Sequence, residues 1–261
     1  MIKIGPAGIG SVIDAASNLE KYYKMGFRAC EIPFTYSVFI KEDKHKKQIK
    51  DIYETVKKLD FNLSIHAPYW INLNSAEKIK VVNSKKRILN SCKIAHLIGA
   101  KRVVFHCGYY GKDSKEKTYQ SIKKEILDMM KTIKAKKWKV KLCPETMGKI
   151  NVFGSTEEIL RLVKETKCDF CLDFAHLHAR SLGKMTYKEM YKKYKGFKKL
   201  HCHFSGIIFG DKGERSHKMT PSKELKGLLA ALPKNKDITI ISESPDPVKD
   251  SRKALKILKG V

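Results

Sequence analysis

The sequence predicts an α/β fold, a (β/α)8 TIM barrel in a single domain over residues 1–261. Three observations carry that prediction. Short β-branched or apolar runs alternate with longer segments of helical spacing along the whole chain. No Pro/Gly/Ser-rich linker or low-complexity stretch divides it. Eight strand-then-helix units share the 261 residues, about 33 residues each, and a barrel of this kind takes roughly 250. An open doubly wound sheet is the alternative. It is disfavoured because GPAGIG, after the first strand, lacks the G-x-G-x-x-G spacing that cradles a phosphate.

The strands are expected at Ile2–Gly5, Ala29–Pro33, Asn62–His66, Arg102–His106, Val140–Glu145, Phe170–Phe174, Leu200–Phe204 and Ile238–Glu243. Gly26 is read as the stop of the first helix. Between the second and third strands, Ile49, Ile52, Tyr53 and Val56 fall at i, i+3, i+4 and i+7, the core stripe of a helix. Gly99 ends the KIAHLI helix before the fourth strand. Ile122, Ile126, Met129 and Ile133 repeat the stripe before the fifth strand, with lysines on the opposite face.

A hydrophobic content of 42% over 261 residues supports one large core and excludes a peptide hormone, a disulfide scaffold or a disordered tail. No apolar run approaches the ~18 residues of a membrane span, and the N-terminus lacks a signal-peptide layout, so a cytoplasmic protein with no membrane partner is expected. Seven scattered cysteines, an odd number, suit buried reduced thiols. Against 27 Asp and Glu stand 54 Lys and Arg, a net +27 that points to a polyanion such as nucleic acid; a solvated lysine-rich surface is the plainer alternative.

In barrels of this kind active sites sit at the C-terminal ends of the strands. Strand three ends at His66, four at His106, five at Glu145, six at Asp173 with His176 behind it, seven at His201 and His203, and eight at Glu243. Crowded carboxylates would repel one another unless a cation sat among them. Imidazoles and carboxylates without thiolates suit Zn2+, Mn2+ or Fe2+ in an open catalytic site. Glu145, central in strand order, is the candidate bridge between two metals and the candidate catalytic residue.

The series SIHAPYWINL, VFHCG, PETMGK, LDFAHLHA, LHCHFSG with the later GERSH, and SESPD resembles endonuclease IV, the abasic-site endonuclease group of the xylose-isomerase-like barrels, from about residue 60 to residue 246. The resemblance implies a DNA-repair hydrolase holding two or three zinc ions, acting on damaged double-stranded DNA as a cytoplasmic, nucleoid-associated monomer. It implies that His66, His106 and Glu145 hold one metal, and Glu145, Asp173, His201 and Glu243 a second. His176 goes to a third, completed in the family by an Asp-x-His element. Here the chain reads Glu214-Arg215-Ser216-His217. Glu214 and His217 supply the same ligand types if the loop shifts by one residue, whereas strict alignment leaves Ser216 where a His belongs. Tyr69 and Trp70 are implied as the wedge into DNA, with Arg215 as a DNA contact. His203, two residues after His201, is expected to point elsewhere if His201 faces the site, either supporting a ligand from behind or contacting a phosphate. A single-metal sugar isomerase or epimerase of the same superfamily is the alternative, because Glu145, Asp173, His201 and Glu243 alone do not separate the two. Binding of nucleic acid without cleavage is a third.

Overall fold

Strands whose side chains alternate inward and outward, joined by amphipathic helices, close into a barrel in the computed structural model, which describes residues 1–260. The strands are β1 (Ile2–Pro6), β2 (Ala29–Pro33), β3 (Asn62–His66), β4 (Arg102–Phe105), β5 (Lys141–Pro144), β6 (Leu172–Asp173), β7 (Lys199–Phe204), β8 (Gly206–Gly210), β9 (Gly213–Lys218) and β10 (Asp237–Ser242). The helices are α1 (Ala15–Lys24), α2 (Lys46–Lys58), α3 (Lys78–Leu97), α4 (Lys115–Ala135), α5 (Thr156–Thr166), α6 (Phe174–Arg180), α7 (Tyr187–Lys192), α8 (Ser222–Ala231) and α9 (Pro247–Lys259). Among the described residues, no helix is long and apolar enough to cross a membrane.

Two parallel four-stranded runs, β2-β3-β4-β5 and β6-β7-β10-β1, form the wall. Parallel bridges Ala7 to Glu31 and Glu145 to Cys171 join them into an eight-stranded barrel. The β1/β2 seam depends on Gly5. A Cβ there would lie 1.5 Å from the Ala29 carbonyl oxygen, so no side chain fits. Gly5→Ala is expected to destabilise the protein by about 3 kcal/mol, read as a lower urea midpoint at unchanged slope.

The stripes of α2 and α4 bury Ile49, Ile52, Val56, Ile122, Ile126, Met129 and Ile133, but Tyr53 lies exposed at the edge of its stripe. Gly26 and Gly99 take positive φ at the helix ends, where L side chains are strained. All seven cysteines are free and buried.

The bounds of β1, β4, β5, β7 and β10 differ from the expectation by one residue, and two elements differ further. The sixth strand is confined to Leu172–Asp173 rather than Phe170–Phe174, and it stops there because Asp173 Oδ1 accepts the His176 backbone N–H at 2.6 Å and starts α6. After β7 the chain does not turn directly into a helix. It forms the antiparallel hairpin β8–β9, which carries the GERSH segment over the barrel mouth.

Candidate metal centre

Six of the eight barrel strands, β3 to β7 and β10, deliver an imidazole or carboxylate at or just beyond their C-terminal ends, and these side chains converge around Glu145. Its carboxylate is fully buried. Oε2 lies 3.2 Å from His66 Nε2 and 3.1 Å from His106 Nε2, and Oε1 lies 3.1 Å from His203 Nδ1 and 3.4 Å from His176 Nδ1. On the far side of the His203 ring nitrogen stand Glu243 Oε2 at 3.3 Å and Asp173 Oδ2 at 4.0 Å. His176 Nε2 reaches Glu214 Oε2 at 3.5 Å, and Glu214 Oε1 stands 3.8 Å from His217 Nε2.

These residues fall into three groups whose donor atoms lie within 4.8 Å of one another: His66, His106 and Glu145; Glu145, Asp173, His203 and Glu243; and His176, Glu214 and His217. Glu145 belongs to two of them. The remote nitrogens of three imidazoles are held by main-chain carbonyls. His66 Nδ1–H donates to Ala67 O at 2.7 Å, His176 Nδ1–H to Thr146 O at 2.9 Å, and His217 Nδ1–H to Glu243 O at 3.2 Å. Each Nε2 is thereby aimed at the carboxylates, as in metal-ligating histidines.

The electrostatics call for positive charge. Burial pushes Asp173 up to about 6, with the Glu145 and Glu243 carboxylates adding to it. Burial opposes the charged form of Glu145 too, yet His203, His106 and His176 hold it well below the ordinary carboxylate range. Burial disfavours a charged His66, but Glu145 raises it to about 9. Asp173 Oδ2 is buried with no hydrogen-bond partner. A buried carboxylate oxygen left this way is costly in packing terms and suits a cation. The donor chemistry fits divalent metal.

The departure at GERSH is resolved by local backbone geometry. Across the hairpin Ile207 faces His217 and Ile208 faces Ser216, but Phe209 faces Glu214, so Arg215 is an extra residue in a β-bulge. Residues three apart on a regular strand point to opposite faces; the bulge returns Glu214 and His217 to one face. Ser216 turns to solvent, and so does Arg215. Gly148 admits the hairpin, since a Cβ there would lie 2.7 Å from the Glu214 carboxylate.

Two expectations for β7 are corrected. His203, not His201, completes the group with Glu145, Asp173 and Glu243, and His203 is fully buried, so it is no phosphate contact. Residues two apart on a strand share a face, so both imidazoles point into the barrel and His201 occupies the layer beneath. There its Nε2 lies 3.1 Å from Glu31 Oε2.

The groups open into a cavity of about 290 Å3 lined also by Tyr69, Tyr109 and Lys149. Tyr69 stacks on His106, with ring centroids 5.8 Å apart. Trp70 projects into solvent, its backbone carbonyl held by Arg87 at 3.1 Å. Tyr36, Tyr109 and Ile150 are also exposed on loops at this end of the barrel, and Ile208 is exposed on β8. Arg180 donates to the carbonyls of Lys149 and Val152 at 2.6 and 3.0 Å, fixing the loop that carries Lys149.

Glu31, Tyr109, Lys149 and the hairpin bulge were not legible from the sequence as functional elements. Glu31 had a signal, a carboxylate inside the apolar run ACEIP. It lies two residues short of the strand end, which closes on Pro33.

The family model of the xylose isomerase-like TIM barrel matches residues 19–261. An uncharacterized protein of Methanocaldococcus jannaschii is 38% identical over 94% of this chain and 92% of its own length. A probable endonuclease 4 of Mycoplasma pneumoniae is 27% identical over 65% of this chain and 59% of its own. Among solved structures, SacUVDE superposes with a TM-score of 0.78 at 16% identity, covering 100% of this chain and 99% of the other. Endonuclease IV from Thermus thermophilus gives 0.75 at 17%, covering 99% and 100%. A D-tagatose 3-epimerase-like protein gives 0.67 at 21%, covering 99% and 96%. At these identities the structural likenesses establish the fold alone.

Proposed function

The chain belongs to the xylose isomerase-like TIM-barrel family, and from that premise we propose that it is a metal-dependent phosphodiesterase of the endonuclease IV type. Its reaction is hydrolysis of damaged duplex DNA on the 5′ side of an abasic site. The observation that carries this reading is the set of three donor groups around one cavity, two of them sharing Glu145. A sugar isomerase or epimerase of this family needs only one such group. It has no use for the imidazoles of His66 and His106 or for a net charge of +27.

His66, His106 and Glu145 would hold one ion, Glu145, Asp173, His203 and Glu243 a second, and His176, Glu214 and His217 a third. When bound, zinc or manganese ions supply Lewis acidity toward the phosphoester and lower the pKa of water. The protein keeps three of the imidazoles in one tautomer through main-chain carbonyls, so no reorganisation is needed on substrate binding. Lys149, on its fixed loop, offers an ammonium to a phosphate entering the cavity. Tyr69 and Trp70 offer stacking faces to bases beside the lesion, worth about 1–3 kcal/mol per base, which offsets part of the unstacking cost. Arg215, held outward by the bulge, reaches a flanking phosphate.

Metal analysis beside an incision assay on a duplex carrying a reduced abasic analogue tests the reading. Two or three zinc equivalents are expected, with incision lost on chelation and regained on adding zinc. One ion per chain and no incision would overturn it in favour of a sugar enzyme.

A further inference from the structure

One carboxylate inside the barrel belongs to none of the proposed ligand sets. Glu31, in the middle of β2, is fully buried. Its Oε2 accepts from Ser64 Oγ at 2.7 Å and lies 3.1 Å from His201 Nε2, while Oε1 lies 2.9 Å from His203 Nε2. The last is a close ionic approach rather than an aligned hydrogen bond, and both atoms are buried without a hydrogen-bond partner. Across the same ring Nδ1 faces Glu145 and Glu243 at 3.1 and 3.3 Å.

A neutral imidazole has one N–H and one lone pair, and the hydrogen bond made at one nitrogen decides which is which. His66, His176 and His217 obtain that bond from main-chain carbonyls. His203 sits within β7, where the backbone is committed to pairing with β6 and β10. A side chain must therefore serve it: the Glu31 carboxylate lies 2.9 Å from Nε2, and the other group beside the ring, the Cys171 thiol, is kept neutral by burial.

We propose that Glu31 is a positioning residue of the metal centre: it keeps the His203 proton on Nε2, so that Nδ1 presents its lone pair to the ion shared with Glu145, Asp173 and Glu243. The inference rests on the metal-centre reading above. Ser64 and His201 both bond to Oε2, which orients the carboxylate and leaves Oε1 for His203. Removal of the negative charge leaves one amide oxygen for three donors, so an NH2 group meets an N–H and the His203 proton moves to Nδ1.

The experiment compares wild-type and Glu31→Gln protein, 15N-labelled and zinc-loaded, by long-range 1H–15N correlation of the histidine rings and by chelator competition. The wild type is expected to show His203 protonated at Nε2. Glu31→Gln is expected to bind one zinc about 10- to 100-fold more weakly and the others as before. Wild-type affinity for every ion together with an unchanged His203 pattern overturns the proposal. Should Glu31→Gln fail to fold, Ser64→Ala serves instead: a weakening confined to the same ion upholds the proposal, and wild-type affinity overturns it. A wild-type protein that binds no zinc overturns the metal-centre reading itself, and this one with it.

Discussion

A Glu145→Gln variant is expected to lose incision of abasic duplexes by about 10³-fold or more while still binding the same DNA with a steep salt dependence. Glu145 contacts His66, His106, His176 and His203 through both oxygens. Glutamine keeps the volume and shape of that contact but removes the charge that two donor groups share. On the proposed reading the DNA backbone would meet the lysines and arginines behind the net +27, none of which the substitution touches. A rate loss of 10³ corresponds to about 4 kcal/mol of transition-state stabilisation, of the size removed with a preorganised charge in a water-poor site. The measurement is single-turnover cleavage beside a salt titration of binding. A variant that cuts at the wild-type rate would refute the role of Glu145, and loss of DNA binding along with cleavage would show a collapsed barrel mouth instead.

Exchanging two adjacent side chains, Ser216→His with His217→Ser, is expected to remove one metal equivalent and to slow incision by about 10²-fold. Composition and charge are conserved, so only direction changes. Ser216 pairs with Ile208, which is exposed, whereas His217 pairs with Ile207, which is buried. An imidazole moved to position 216 faces solvent, and His176 and Glu214 are left without their third donor. Deletion of Arg215 is the counterpart. It removes the bulge and places Glu214 and His217 two apart on a regular strand, again on one face, so the metal content should be retained. Metal analysis of both variants decides the matter. An exchange that keeps all its metal would refute the assignment of His217.

The barrel was legible in the sequence because its determinants are local. Apolar periodicity marks α2 and α4, and β-branched runs mark the strands, with errors of one or two residues at their ends. Most of the candidate centre was legible too: His66, His106, Glu145, Asp173, His176 and Glu243 each occupy a strand end or the residues just beyond one. The choice between His201 and His203 was not. Strand alternation puts both on the inner face, and only depth along the barrel axis separates them. That depth is set by the stagger of β7 against β6 and β10. The GERSH segment was readable as a source of ligands but not in register, because a bulge is a property of two paired strands.

By itself, then, the order of residues determined a (β/α)8 chain with imidazoles and carboxylates at successive strand ends and an excess of positive charge. Tertiary structure alone decided which of two β7 histidines meets Glu145, that Glu31 lies against that ring, and that Glu214 and His217 share a face. The physical reason is range. Periodicity and charge are written within a few neighbouring residues, whereas register, depth and tautomer depend on atoms that closure of the barrel brings together from as far apart as Glu31 and His203.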